Sequence, residues 1–179
     1  TGVSAIVLED KIGLKKNSLF KNQKGVSQDS IRAFSKKIKT CNSSKLSKDF
    51  FVVARIESLI LGKPVSEALK RAFAYTKAGA NGILIHSKEN NPSQIYSFAK
   101  RFIKSKFYKP MVAVPSSYSQ TYEKDLINNG FKIVIYANHL MRASYPAMLI
   151  AAKSILTNKR SFNIEKKISP VKEIINLIK

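Results

Sequence analysis

The residues with the clearest chemical potential stand at the ends of apolar runs. Five such runs end in polar groups: Glu9 with Asp10 and Lys11, Arg55 with Glu57, His86 with Ser87 and Lys88, Ser116 with Ser117 and Tyr118, and Asn138 with His139. A planar guanidinium suits phosphate or carboxylate oxygens, and an imidazole can hydrogen-bond an anion. The carboxylates could orient either a metal-bound water or the arginine. These residue types favour a hard, anionic substrate handled together with Mg²⁺.

Each residue also has a purely structural interpretation. Arg55 and Glu57, two apart on one face of a strand, would form an ordinary ion pair. The acidic pair Glu9 and Asp10 would cap the following loop, and His86 would be a structural histidine. For each residue alone both interpretations stay open, but their occurrence at successive strand ends favours a site.

The elements that must position these residues are short apolar runs alternating with amphipathic stretches, a pattern typical of βαβ units. The predicted strands are Ala5–Leu8, Phe51–Arg55, Gly82–His86, Met111–Val114 and Lys132–Tyr136. The predicted helices are Gln28–Thr40, Val65–Ala78, Ser93–Ser105, Gln120–Asn128, Tyr145–Thr157 and Pro170–Ile178, with Ser27 capping the first. Because the carboxyl ends of parallel strands share one edge, the polar groups are expected to converge on one rim, as in a TIM barrel.

The loop after the first strand is strongly basic. It carries Lys11, Lys15, Lys16, Lys21 and Lys24 with no acid between the first and the last. Such a segment favours a flap that closes over a phosphorylated ligand and excludes water. An ordinary solvated loop is an equally open interpretation.

Composition limits which other partners and locations are expected. The formal net charge of +21 would favour nucleic acid or an anionic surface, but no helix-turn-helix spacing or zinc-finger pattern accompanies it. We therefore expect no specific nucleic-acid partner. No apolar run is long enough to cross a bilayer, and the single Cys41 favours reducing surroundings, hence the cytoplasm. One domain over residues 1–179 is the expectation.

The loop residues EDKIGLKKNSL, from Glu9 to Leu19, resemble the gating-loop motif of phosphoenolpyruvate mutases in the isocitrate lyase superfamily. The resemblance continues through VARIE, EALKRA, ILIHSK, VP and IYANHLMRA in the expected order and covers nearly the whole chain. Lyases of this superfamily have a catalytic Cys in the loop, which is absent here. Phosphonopyruvate hydrolases, the nearest relatives, tend to carry Thr at the position of Asn17, so the mutase is favoured and the hydrolase is the alternative.

The resemblance implies the isomerisation of phosphoenolpyruvate to phosphonopyruvate with Mg²⁺ as cofactor. Carried residue by residue, it implies that Arg55 and His86 grip the phosphoryl group. It further implies that Asn17, with Ser18 beside it, holds that group as it shifts, and that Lys15 brings charge from the closed loop. Glu9 would serve the metal through water, outside the first ligand sphere.

The resemblance begins at what would be the fourth strand of a (β/α)8 TIM-type barrel. The expected fold is therefore α/β, with the C-terminal five βα units of the barrel and without the first three strands. Their loss would remove the catalytic aspartate and the direct Mg²⁺ ligands of the family. We expect a C-terminal fragment that is inactive alone and assembles as a homo-oligomer, dimer or tetramer. A noncatalytic interaction module is the alternative from another class.

Overall fold

The computed structural model describes residues 2–13, 17–18 and 24–178. These belong to two compact units, Thr1–Tyr136 and Ala137–Lys179. The strands are β1 (Ala5–Glu9), β2 (Lys11–Ile12), β3 (Ser27–Gln28), β4 (Phe51–Ile56), β5 (Gly82–Ile85), β6 (Met111–Ala113) and β7 (Phe131–Val134). The helices are α1 (Ile31–Ser44), α2 (Val65–Lys77), α3 (Ser93–Ile103), α4 (Glu123–Asn128), α5 (His139–Asn158) and α6 (Val171–Asn176).

Five strands of the first unit form one sheet in the order β1-β4-β5-β6-β7. Every neighbouring pair is parallel, so the predicted α/β fold with a parallel sheet is confirmed. The register places Glu9 opposite Arg55, and Arg55 opposite Leu84. Residues in register share a face of the sheet, so the acid and the arginine lie side by side at its carboxyl end.

The two faces of the sheet differ in what covers them. One face packs into the main core, in which Ile56, Ile83 and Ile85 meet helix residues such as Phe34 and Phe98. The opposite face carries a smaller apolar cluster of Val53, Leu84, Val112 and Val114. Since side chains alternate along a strand, Arg55 shares the face of Val53. The candidate site therefore lies on the side of the smaller cluster, at the strand ends.

Several predicted boundaries are wrong. Helix α1 begins at Ile31, and Ser30 caps it by accepting a 3.1 Å hydrogen bond from the backbone N–H of Ala33. The predicted cap, Ser27, instead lies in β3, which pairs antiparallel with β2. This hairpin was not predicted, because strands of two residues leave no periodic pattern.

Helix α1 ends at Ser44 instead of Thr40, and β7 ends at Val134 instead of Tyr136. Helices α4 and α5 also differ from the prediction. Helix α4 begins three residues later than predicted, at Glu123. Helix α5 begins at His139 and continues through Pro146, so the predicted start at Tyr145 is wrong. No helix among the described residues is long and apolar enough to cross a membrane.

Candidate active site

Arg55 is the centre of the polar cluster at the carboxyl end of β4. Its Nε and Nη2 both lie 2.7 Å from Oε1 of Glu57, two residues further along the chain. Glu57 is completely buried, whereas the side chain of Arg55 is about one quarter exposed. The pair is therefore a charge-assisted contact that holds the guanidinium in one orientation while leaving part of it accessible.

Ser18 adds a contact from the basic loop. Its hydroxyl donates to Oε2 of Glu57 at 3.0 Å and accepts from Nη2 of Arg55 at 2.6 Å. Ser18 is itself buried. One loop residue thus bridges both partners of the ion pair.

Glu9 lies at the same strand edge in a looser arrangement. Its Oε1 is 3.5 Å from Nη2 of Arg55 and 3.9 Å from Nζ of Lys11. Burial raises the pKa of Glu9 above its ordinary value, although the positive charge of Arg55 opposes this shift. Lys11 is also 3.6 Å from Glu57, so two cations and two carboxylates meet here.

Asp10 is fully buried and ties the elements beneath the site together. Its carboxylate accepts hydrogen bonds from Tyr75 at 2.6 Å, Arg71 at 3.1 Å and Gln28 at 2.9 Å. It also accepts one from the backbone N–H of Glu57 at 2.9 Å. Burial, followed by the charge of Asp10, raises the pKa of Tyr75, which keeps that phenol a hydrogen-bond donor. Asp10 therefore positions β4, β3 and α2 rather than facing the site.

His86 follows β5 and is 4% exposed. Burial lowers the pKa of His86 to about 4, and the nearby charge of Arg55 acts in the same direction, against Glu57. The imidazole is therefore neutral near pH 7. Its ring lies 6.3 Å from that of Tyr118, and its Nδ1 has no hydrogen-bond partner within the described part of the chain.

Two further expected site residues belong to the loop. Asn17 is described and exposed, and it directly precedes Ser18. Lys15 lies outside the described residues. The structure thus brings together Glu9, Ser18 and Arg55, with His86 close enough for Arg55 to influence its pKa.

Mg²⁺ prefers carboxylate oxygens and water as ligands. Within residues 2–13, 17–18 and 24–178, no three His, Cys, Asp or Glu side chains are arranged to hold a metal ion. Glu9 is partly exposed and its contacts are long, so its carboxylate retains the capacity to accept from a metal-bound water. The described residues therefore fit an outer-sphere role for Glu9.

Sequence reasoning missed Arg71 and Tyr75 as supports of the site. The available signal was a charged residue within the apolar stripe of α2, four residues before a tyrosine on the same face. Both side chains are buried, and Arg71 also donates to the backbone oxygen of Asp29 at 2.7 Å. A buried arginine requires such partners.

The arrangement can bind an oxyanion through an oriented guanidinium beside a neutral imidazole. Solved structures with the same fold include a phosphoenolpyruvate phosphomutase from Streptomyces platensis subsp. rosaceus, with a TM-score of 0.90 and 35% identity over 98% of this chain and 60% of that one. A phosphonopyruvate hydrolase in complex with oxalate and Mg²⁺ has a TM-score of 0.84 and 36% identity over 98% of this chain and 59% of that one. The fold is thus the α/β fold of these phosphomutase and hydrolase structures.

The phosphoenolpyruvate phosphomutase family model matches residues 1–156, and the chain belongs to this family. A phosphoenolpyruvate phosphomutase from Tetrahymena pyriformis is 39% identical over 175 residues, which cover 98% of this chain and 57% of that relative. The chain therefore spans somewhat more than half the length of the curated relatives it matches.

Proposed function

We propose that the chain forms part of a phosphoenolpyruvate mutase, an isomerase that interconverts phosphoenolpyruvate and phosphonopyruvate. The observation that carries the proposal is the guanidinium of Arg55, oriented by buried Glu57 at the carboxyl end of a parallel sheet. Membership of the phosphomutase family supports the choice of substrate.

In this proposal Arg55 and His86 bind the phosphoryl group. Nη1 of Arg55 makes no hydrogen bond to a described residue, while Nε and Nη2 are held by Glu57 and Ser18. The free edge of the guanidinium is thus suited to a phosphoryl oxygen. His86, neutral near pH 7, adds a hydrogen bond without a second full positive charge.

The loop completes the site in the same proposal. Asn17 holds the phosphoryl group while the P–O bond breaks and the P–C bond forms, and Lys15 brings a cation to the developing charge. Ser18 belongs to the substrate-binding segment beside Asn17. Positioning and charge stabilisation dominate phosphoryl transfer, and these residue types supply both.

Mg²⁺ is the proposed cofactor, and when bound it would neutralise charge on the enolpyruvate and phosphoryl oxygens. Glu9 would contact it through water, which agrees with its partly exposed carboxylate. The solved hydrolase relative contains Mg²⁺ together with oxalate.

The proposal assigns the five parallel strands of the first unit to the fourth through eighth βα units of a (β/α)8 barrel. The strand order and the similarity to longer phosphomutase structures support this assignment. An N-terminal half carrying three further strands would complete the site. We also propose a homo-oligomer, dimer or tetramer, located in the cytoplasm, with no specific nucleic-acid or membrane partner.

Phosphonopyruvate hydrolysis is the second candidate, because a hydrolase is nearly as similar to this chain as the phosphomutases are. Asn17 favours the mutase, since hydrolases tend to carry Thr there. In a chain completed with an N-terminal half, Asn17→Thr should shift the product from phosphoenolpyruvate toward inorganic phosphate. An unchanged product ratio would remove this distinction.

Phosphorus NMR of phosphonopyruvate incubated with Mg²⁺ and this chain tests the proposal. One sample contains the chain alone, and the other also contains the N-terminal half of the Tetrahymena relative. We expect the phosphate-ester signal of phosphoenolpyruvate only in the second sample. Inorganic phosphate would favour the hydrolase, and no change in either sample would contradict both enzymatic proposals.

A further inference from the structure

Ser18 is buried although it belongs to a basic loop segment. Its hydroxyl lies between two charged groups, donating to Oε2 of Glu57 at 3.0 Å and accepting from Nη2 of Arg55 at 2.6 Å. Hydrogen bonds to ionised partners are about twice as strong as neutral ones. The loop is therefore anchored at this residue by two strong contacts.

Glu57, the receiving carboxylate, is held from several sides. Its Oε1 accepts from Nε and Nη2 of Arg55, both at 2.7 Å, and Nζ of Lys11 lies 3.6 Å from Oε2. Its own backbone N–H donates to the buried carboxylate of Asp10 at 2.9 Å. The carboxylate of Glu57 therefore cannot move without breaking at least one of these contacts.

We infer that Ser18 and Glu57 form a latch that couples the position of the loop to the orientation of Arg55. Both are positioning residues: Glu57 sets the guanidinium, and Ser18 locks the same guanidinium from the loop side. The inference rests on the proposed function, in which Arg55 grips a phosphoryl group and the loop closes over it.

Within this latch, Ser18 has a positioning role and does not contact substrate. Its hydroxyl proton is committed to Glu57 and its oxygen accepts from Arg55, so it acts on substrate through the guanidinium. Asn17 is the preceding residue and is exposed. Because Asn17 adjoins Ser18 in the chain, docking of Ser18 brings the backbone of Asn17 to the strand edge that carries Arg55.

Hydrogen exchange of the full chain tests the latch without requiring activity. We expect Ser18→Ala to accelerate amide exchange in the peptide spanning residues 10–28 by about tenfold, the effect of losing a hydrogen bond to a charged group. Ser18→Thr keeps the hydroxyl and should restore slow exchange. Ser43→Ala, at an exposed helical serine, is the matched control and should leave this peptide unchanged.

A double-mutant cycle tests whether Ser18 acts through Glu57. Both variants affect the contact between Ser18 and Glu57, and Ser18→Ala also removes the contact to Arg55. The acceleration in the double variant should therefore be smaller than the product of the two single accelerations. Effects that multiply would overturn the latch, and so would unchanged exchange in Ser18→Ala. If Glu57→Gln does not fold, the comparison of Ser18→Ala with Ser18→Thr decides.

Kinetics of the chain completed with an N-terminal half separate positioning from direct binding. We expect Ser18→Ala to lower kcat about tenfold while changing KM for phosphonopyruvate less than about twofold. A raised KM with unchanged kcat would mean direct substrate binding and would overturn the assignment. If the completed wild-type protein shows no turnover, the proposed function fails, and the exchange experiment still decides the latch.

Discussion

The carboxyl edge of the sheet has two halves, one at the ends of β1 and β4 and one at the ends of β5 and β6. They differ in whether their buried polar atoms have hydrogen-bond partners among the described residues. At the ends of β1 and β4, the carboxylates of Asp10 and Glu57 accept hydrogen bonds from several elements. After β5 and β6, Nδ1 of His86 and the hydroxyls of Ser116 and Ser117 are buried without a hydrogen-bond partner among the described residues.

The difference separates side chains that the protein itself holds in place from side chains whose hydrogen bonding a bound ligand would change. Buried polar atoms are nearly always hydrogen-bonded, so the unpaired ones call for a functional explanation. The first half orients Arg55 before any substrate arrives. We expect the second half to gain hydrogen bonds when an anion binds, and to contribute less to folding.

The largest expected effect is that of Asp10→Ala, in the satisfied half. The substitution removes the buried carboxylate that lies 3.1 Å from Arg71 and, among the described residues, leaves that arginine only the partly exposed carboxylate of Glu67. Breaking a buried pair costs about 3–5 kcal/mol. Urea unfolding should show this loss in the free energy of unfolding. Asp49→Ala, at an exposed loop aspartate, is the control, and a similar loss in both variants would contradict the supporting role of Asp10.

The next largest expected effect is a pH dependence of the free energy of unfolding. It arises from His86, in the half of the edge after β5 and β6. Its pKa falls from 6.5 to about 4 on folding, so below pH 6.5 the unfolded chain binds a proton that the folded chain does not. Stability from this group is complete above pH 6.5 and is lost as pH falls toward 4. Since one pKa unit corresponds to about 1.4 kcal/mol, the loss is on the order of 3 kcal/mol.

Chemical denaturation at several pH values measures this dependence. His86→Asn should flatten the fall of unfolding free energy between pH 6.5 and 4. His139→Asn, at the only other histidine of the sequence, should retain it. A wild-type slope in His86→Asn would show that the imidazole is not desolvated.

Tyr75→Phe should have a smaller effect in the satisfied half. The phenol donates to Asp10 at 2.6 Å and accepts from Arg71 at 2.8 Å, but Asp10 keeps its other partners. We expect a loss of about 1–2 kcal/mol in the free energy of unfolding. Tyr122→Phe, at a largely exposed ring, should change it by less than about 0.5 kcal/mol; equal effects would argue against the buried network.

The smallest effect is expected for Ser116→Ala. Its hydroxyl has no partner among the described residues, so its removal should change the free energy of unfolding by less than about 0.5 kcal/mol. Ser87→Ala is the comparison, because that hydroxyl donates to Oε1 of Gln94 at 2.7 Å and accepts from the backbone N–H of Glu89 at 3.2 Å. There we expect a loss of about 1 kcal/mol. The opposite order would remove the contrast between satisfied and unsatisfied groups.

The sequence was sufficient to predict the parallel sheet. Continuous apolar runs predict strands buried on both faces. All five predicted strands are present and parallel, but β1 and β7, at the two sides of the sheet, are partly exposed. The polar residue after each run then marks the carboxyl edge, which is how Glu9, Arg55 and His86 were found. These patterns involve residues close together in the sequence, so they can be recognised without knowing how the elements pack.

The contacts that hold the site depend on residues distant in sequence. Asp10 meets Arg71 and Tyr75 across more than sixty residues, and no local pattern encodes that pairing. Glu57 likewise meets Ser18 across 39 residues. The hairpin of β2 and β3 was missed because strands of two residues leave no periodic pattern.

The most direct test of the account is the rate of phosphonopyruvate conversion by the completed protein with Arg55→Lys. Lysine keeps the charge but cannot bind Glu57, Ser18 and a phosphoryl oxygen with one planar group. We expect a loss of at least about a hundredfold in kcat, whereas Arg101→Lys, at an exposed residue of α3, should keep the wild-type rate. Equal rates for the two variants would contradict the assignment of Arg55 as the phosphoryl-binding residue.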